Sequence, residues 1–220
     1  MAHRAEEKER RRQERIAQEE AARKAAARKR TLQVGGGVVL GLAVIAVIAI
    51  VALAGGGGSK DKTADISKLT ADAKAAGCTF SQFKSEGRNH TASKVTYKTN
   101  PPTSGNHNPT PAQDGIYRAG NSPPKENFVH TLEHGRIEFQ YKPGTPAADV
   151  AKLRALAEEP FNGTAGYHVL LFENNTNMPT QFAATAWTKS ITCPTLSTQA
   201  ISAMREFRTA FTDKGPEFIP

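Results

Sequence analysis

Apolar residues beyond residue 63 recur at two spacings, and each spacing predicts a different kind of element. Strict alternation in GRIEFQYKPG places Ile137, Phe139 and Tyr141 on one face of a strand. The segments SKVTY, YHVLLFE and QFAATAWTKS also favour strands. Spacings of three and four residues predict helices in residues 64–77, 145–160 and 195–215. These interspersed elements predict an α+β fold, in which helices pack on a small antiparallel or mixed sheet.

The longest apolar run of the chain lies before these elements. Residues 34–54, VGGGVVLGLAVIAVIAIVALA, contain no charged side chain over 21 residues. A helix of that length spans about 30 Å, which is the thickness of the hydrocarbon core of a bilayer. A cleaved signal peptide is the alternative, but its apolar core is usually only about 7–15 residues long. The pattern therefore predicts one N-terminal transmembrane helix at residues 31–54, with the lipid bilayer as its partner.

Most of the net charge of +8 belongs to the N-terminal tail. The first 30 residues carry eleven Lys and Arg against six acidic residues, and Arg28, Lys29 and Arg30 directly precede the apolar run. Positive residues stay inside, so the N-terminus is predicted to be cytoplasmic and the C-terminal domain to lie outside the cell membrane. The tail lacks interleaved aromatic residues, which argues against nucleic-acid binding. The predicted organisation is a charged cytoplasmic tail, a transmembrane helix, a flexible linker and an extracytoplasmic domain, at residues 1–30, 31–54, 55–63 and 64–220.

The two cysteines of the chain, Cys78 and Cys193, both lie in the predicted extracytoplasmic domain. Oxidising compartments outside the cytoplasm favour disulfide formation. The wide separation of the two residues excludes a redox-active Cys-x-x-Cys pair. A structural disulfide between Cys78 and Cys193 is therefore predicted.

Histidines are concentrated in the first half of this domain, beside Gly, Asn, Pro or Glu. They are His90, His107, His130 and His134, and Glu133 directly precedes the last of them. Side chains on loops and element ends can converge, and neutral imidazole suits Zn²⁺ and Cu²⁺. The pattern predicts a metal site, for zinc or copper, with Glu133 as a further ligand or as a hydrogen-bond acceptor behind the ligands. The alternative is that these imidazoles only hold Pro-rich loops on the sheet by hydrogen bonds.

The segment VHTLEHG suggests a catalytic interpretation of the same residues. His-x-x-Glu-His is the inverted order of the zincin motif. On a helix, His130 and His134 lie on one face, and Glu133 can act as the catalytic base for a metal-bound water. A helix over SPPKENFVHTLEHG would meet this requirement, with Ser122 as its cap. The motif is short, and no later helix offers an obvious glutamate ligand. A zinc-dependent hydrolase is therefore an alternative, and whether the protein is an enzyme stays open.

A third interpretation needs no metal. Residues 100–115 are too rich in Pro, Gly and Asn to form regular structure. Loops of this kind often carry binding surfaces. Together with Tyr117, the loop would contact an envelope protein or a glycan, and the domain would be a structural or interaction module at the cell envelope.

Four short motifs of the chain resemble those of a known family. They are PPTSGNH at 101–107, GIY at 115–117, VHTLEHG at 129–135 and AW at 186–187. The stretch between residues 77 and 187 resembles the domain of unknown function 3105, which occurs in bacterial, notably actinobacterial, single-pass membrane proteins. The resemblance implies an extracytoplasmic domain behind a membrane anchor, with no established activity. The function has to be inferred from the residues themselves.

Overall fold

The computed structural model of the protein describes residues 65–217 and residue 219. The predicted cytoplasmic tail, transmembrane helix and linker, at residues 1–30, 31–54 and 55–63, lie outside the described residues. Within the described part of the chain, no helix is both long and apolar enough to cross a membrane.

The described residues form an α+β fold built on a six-stranded mixed sheet. In chain order the strands are β1 (Thr79–Gln82), β2 (Gly115–Ile116), β3 (Ile137–Tyr141), β4 (Pro160–Phe161), β5 (Thr164–Ala165), β6 (Val169–Glu173), β7 (Phe182–Ala186) and β8 (Lys189–Cys193). The order across the large sheet is β1-β8-β7-β3-β6-β2, and β4 pairs with β5 separately. Strand β6 is parallel to both β2 and β3, whereas the other neighbours in the large sheet are antiparallel. The predicted α+β class and mixed sheet are confirmed.

Four helices cover the two faces of the sheet. They are α1 (Ile66–Ala75), α2 (Lys125–Glu133), α3 (Ala147–Glu158) and α4 (Thr198–Phe211). Buried residues of α1, α3 and α4 share one apolar core with Ile137, Phe139 and Tyr141 of β3. Helix α2 packs on the opposite face, where Phe128 and Leu132 join a second core with side chains of β6. The candidate metal ligands belong to this second face.

Local sequence signals explain where some helices begin and fail for others. Asp65 and Ser197 cap α1 and α4, because their side chains accept hydrogen bonds from backbone N–H groups three residues later, at 3.0 and 3.1 Å. Ser122 does not cap α2, contrary to prediction, since its hydroxyl donates to the backbone carbonyl of Glu173. The helix begins only after Pro124, because a residue that precedes proline disfavours helical geometry.

Two strand predictions were wrong, one for a tertiary reason and one because a tight turn divides the segment. SKVTY, residues 93–97, is not a strand. The Val95 N–H donates to the Glu126 carboxylate at 3.0 Å, outside any strand ladder. The predicted single strand QFAATAWTKS is the middle of a hairpin, in which β7 and β8 are joined at Trp187 and Thr188. Thr188 takes a φ of +61° there, as a tight hairpin turn requires.

The predicted disulfide between Cys78 and Cys193 is confirmed. Cys78 directly precedes β1, and Cys193 is the last residue of β8. The two strands pair with Thr79 opposite Thr192. This register brings the cysteine Cα atoms to 4.3 Å from each other.

Candidate metal centre

Backbone pairing between two loop segments brings His90 and His107 together. The Thr91 N–H donates to the His107 carbonyl at 2.7 Å, and the His107 N–H donates to the Asn89 carbonyl at 3.1 Å. The two residues form an isolated bridge, and their ring centroids are 5.2 Å apart. Residues 17 positions apart in sequence therefore present their imidazoles side by side.

Glycine is required where this loop folds back. Gly105 has a φ of +132°, and a Cβ there would lie 2.8 Å from the ring of Tyr97. The Tyr97 hydroxyl in turn donates to the Asn106 carbonyl at 2.8 Å. The aromatic ring and its hydrogen bond hold the PPTSGNH segment in place, and the loop delivers His107 into the interior with no exposed surface.

Helix α2 supplies the other two groups. His130 and Glu133 are three residues apart and so lie on the same side of the helix. The Asn108 N–H donates to the carbonyl of Glu126 at 3.0 Å, which joins the loop to the first turn of α2. The imidazole of His130 consequently stacks on that of His107, with 4.6 Å between ring centroids.

Four ligand-type atoms converge at this junction. His90, His107, His130 and Glu133 each offer one nitrogen or carboxylate oxygen, and these atoms all lie within 4.8 Å of one another. Ligands of a tetrahedral zinc ion are about 3.3 Å apart when each bond is about 2 Å long. A small contraction would therefore bring the four atoms to the spacing of a metal site.

The buried hydrogen bonds of two imidazoles define which nitrogen is free. Nδ1 of His107 lies 2.8 Å from the Gly105 carbonyl, and Nδ1 of His130 lies 2.7 Å from the Asn108 carbonyl. A carbonyl oxygen only accepts, so both Nδ1 atoms carry the proton and, in the neutral ring, Nε2 keeps its lone pair. Backbone carbonyls commonly orient metal-binding histidines in this way.

One of these free nitrogens has no hydrogen-bond partner. Nε2 of His107 is buried and unpaired, although an oxygen of Glu133 lies 3.0 Å away. That distance alone would suit a salt bridge, but the alignment does not allow a hydrogen bond. Leaving a buried polar atom unpaired costs about 1–3 kcal/mol. Nε2 of His107 and the neighbouring Glu133 oxygen could therefore both bind a cation placed between them.

Burial favours the neutral form of two imidazoles, those of His107 and His130. It lowers the pKa of His107 and of His130, and the carbonyl hydrogen bonds oppose this only in part. Burial likewise raises the pKa of Glu133, while the nearby cation of Arg88 acts in the opposite direction. Arg88 reaches the Glu133 carboxylate from the solvent side, at 3.5 Å. Neutral imidazole is the form that binds a metal ion.

His134 stands apart from the four converging groups. It belongs to a second set with His130 and Glu217, in which the ligand-type atoms also lie within 4.8 Å of one another. Burial lowers the pKa of His134 to about 4. Glu217 was not predicted from the sequence, because it lies 83 positions from His134 and belongs to no local motif. In this second set both histidines of the His-x-x-Glu-His motif could bind one ion, as the zincin interpretation requires, whereas Glu133 belongs to the first set.

The first half of the loop proposed as a binding surface is largely buried. Thr103, Ser104 and His107 have no exposed surface. The segment is held by side chains such as that of Glu86, which accepts from the Lys98 and Thr99 N–H groups at 2.7 and 3.1 Å. Residues 101–107 therefore contribute to the interior of the domain more than to its surface.

No curated protein and no solved structure matches the chain. A sequence model of one family does match, over residues 89–218, which is more than half of the chain. The matched region contains His90, His107, His130, Glu133, His134 and Glu217. The chain belongs to the family described as protein of unknown function (DUF3105).

Proposed function

We propose that this domain binds one transition-metal ion, zinc or copper, through His90, His107, His130 and Glu133. The observation that carries the proposal is the buried, unpaired Nε2 of His107 facing a Glu133 oxygen at 3.0 Å. A metal ion would bind both atoms at once, whereas packing alone leaves the His107 nitrogen without a partner.

The chemistry of the ligand set supports zinc or copper over harder cations. Three neutral imidazoles and one carboxylate are borderline ligands, which Zn²⁺ and Cu²⁺ prefer, whereas Mg²⁺ and Ca²⁺ prefer oxygen. A single carboxylate would leave the occupied site with a net charge of +1. The Arg88 guanidinium near Glu133 would then be repelled by the ion, and we expect it to turn toward solvent.

The test is metal loading of the full-length chain, purified in detergent, followed by removal of unbound metal and elemental analysis. We expect one ion per chain, and loss of tight binding in His107→Gln. His90→Gln is the milder variant, because the exposed His90 can be changed without opening the interior. His3→Gln, in the N-terminal tail, is the matched histidine control and should bind as the unchanged chain does.

Circular dichroism and thermal unfolding of each variant separate lost binding from lost folding. A correctly folded wild-type chain that retains no zinc and no copper would contradict the proposal. The histidines would then act only as hydrogen-bonding groups that hold the loops, and binding of an envelope protein or glycan would become the better interpretation.

We also propose that the domain is anchored to the cell membrane and lies outside the cytoplasm. The support is the uncharged run at residues 34–54 and the basic residues that precede it. A reporter that works only outside the cytoplasm, fused after the C-terminus, should be active. If a reporter that works only in the cytoplasm is active at the same position, the C-terminal domain lies in the cytoplasm and the proposed orientation is wrong.

A further inference from the structure

A segment from the far end of the chain passes over the candidate metal centre. Residues 212–217, here called the C-terminal strap, follow α4 and cross the end of α2. The Asp213 N–H donates to the Gly135 carbonyl at 2.9 Å, and the Glu217 N–H donates to the Glu133 carbonyl at 3.0 Å. The strap is therefore joined by its backbone to a residue of the candidate centre itself.

Two glycines allow this close approach. A Cβ on Gly215 would lie 2.1 Å from the Glu133 carbonyl oxygen and 2.3 Å from the Gly135 nitrogen. Gly135 has a φ of +79°, and a Cβ there would lie 2.8 Å from the Cα of Asp213. Larger residues at either position would push the strap away. The position of Glu217 thus follows from tight backbone packing.

The strap places a carboxylate beside His134. An oxygen of Glu217 lies 3.7 Å from Nε2 of His134. The ligand-type atoms of these two residues and of His130 all lie within 4.8 Å of one another. The carboxylate of this outer group, His130, His134 and Glu217, is more accessible than that of the inner group of His90, His107, His130 and Glu133, in which only His90 is exposed. The Glu217 side chain is 46% exposed, whereas that of Glu133 is 3% exposed.

The two groups share His130, and this sharing restricts their occupancy. Nδ1 of His130 is engaged by the Asn108 carbonyl at 2.7 Å, so the ring has only Nε2 free for an ion. One lone pair binds one ion, so the complete inner and outer groups are alternative positions of a single ion. The His134 ring centroid is 4.4 Å from that of His130, and the His107 centroid is 4.6 Å from it on the inner side.

We propose that the metal ion reaches the inner group through the outer group, with His130 as the ligand common to both positions. This inference rests on the proposed metal binding. Glu217 attracts the cation from solvent, and His134 replaces part of its water shell before the ion moves inward. The exposed Arg88 guanidinium lies 3.5 Å from the Glu133 carboxylate, so its positive charge disfavours direct approach of the ion to Glu133.

The route predicts a specific kinetic signature. Residues that act only on the route change the association and dissociation rates by the same factor and leave the equilibrium constant unchanged. We expect Glu217→Gln to slow both zinc association and zinc dissociation about tenfold, with Kd within twofold of wild type. His134→Gln should behave in the same way, with one ion per chain in every case.

Stopped-flow mixing of the full-length chain with zinc and a chromophoric zinc chelator, in both directions, measures the two rates. Glu158→Gln is the matched control, because its side chain is 50% exposed and pairs with Arg154 away from the site. Unchanged rates in Glu217→Gln would overturn the inference. A Kd that rises tenfold together with faster dissociation would also overturn it, because Glu217 would then be a ligand of the final site. Binding of two ions per chain would overturn it as well. Failure of the wild-type chain to bind any zinc or copper would instead refute the proposed function itself.

Discussion

Glu138 provides a sharp test of how the second face of the sheet is built. Alternation in β3 correctly assigns Glu138 and Gln140 to the face opposite Phe139, yet both side chains are completely buried beneath α2 and the loops. Burial raises the pKa of Glu138 well above its ordinary value, and its hydrogen bonds with Thr185, Thr131 and Gln140 oppose this only in part. We therefore expect Glu138 to be protonated in the folded domain at pH values where it is ionised in the unfolded chain.

The hydrogen bonds around Glu138 suit a neutral side chain. Gln140 and Thr185 donate to Oε2 at 3.1 and 2.9 Å. Oε1 lies 3.1 Å from the hydroxyl of Thr131, which already donates to the Phe128 carbonyl at 2.6 Å. A protonated Oε1 can donate to that hydroxyl. The amide of Glu138→Gln reproduces the same pattern, with its NH₂ in place of the protonated oxygen.

The sign and size of the effect follow from proton binding. Between the ordinary carboxyl pKa of about 4.3 and the raised pKa in the fold, the native state holds one more proton than the unfolded state. Its contribution to the free energy of unfolding is present at low pH and falls by about 1.4 kcal/mol per pH unit as the pH rises. Glu138→Gln removes this pH dependence. The free energy of unfolding of the variant therefore rises relative to that of wild type by about 1.4 kcal/mol for each pH unit in this range.

Urea unfolding of both proteins at pH 5, 6, 7 and 8 measures the difference. The histidines titrate in both proteins, so their contributions cancel when the two free energies of unfolding are subtracted. We expect the difference to grow in favour of Glu138→Gln from pH 5 upward. A difference that stays constant from pH 5 to pH 8 would show that Glu138 does not bind the extra proton, and the reasoning would be refuted.

Two further predictions concern the covalent and steric constraints of the fold. Replacing Cys78 and Cys193 together by Ser should lower the free energy of unfolding by about 4–5 kcal/mol, because the disulfide spans 115 positions and restricts the unfolded chain. Urea unfolding measures the loss, and reductant should reproduce it in wild type but not in the variant. Gly215→Ala should lower the Tm more than Gly144→Ala, whose Cβ meets no atom within 4 Å and whose cost comes only from its φ of +78°. Equal melting temperatures would contradict the close packing of the strap.

Local patterns in the sequence were sufficient for several elements. The alternation of Ile137, Phe139 and Tyr141 predicts β3, and those three residues lie in one core. Gly77, the last residue of the predicted helix at 64–77, has a φ of +75° and follows the end of α1. These features depend on residues within one or two turns of each other, so the sequence carries them as a spacing or as a single residue type. The disulfide was predictable for a different reason, since only two cysteines were available to pair.

The candidate site was only partly accessible from the sequence. His90, His107, His130 and Glu133 were predicted because of their residue types and their concentration in one stretch. Their convergence depends on the pairing of residues 89–91 with His107 and on the packing of that loop against α2, and neither leaves a periodic pattern. The sequence did not predict that His134 belongs to a separate outer group. His130 and His134 lie on one face of the helix, and that spacing alone does not show whether they bind an ion at the same position or at two neighbouring positions.

The sequence by itself thus determined the α+β class, the position of several helices and strands, the disulfide and the residue types of the candidate metal site. The tertiary structure alone decided that the polar face of β3 is buried, that residues 93–97 are not a strand and that Glu217 lies beside His134. The physical reason is the same in each case. Local elements follow from backbone geometry and side-chain periodicity over a few residues, whereas these contacts join groups that are distant along the chain. Their free energy comes from burial and hydrogen bonding that exist only once the whole domain has folded.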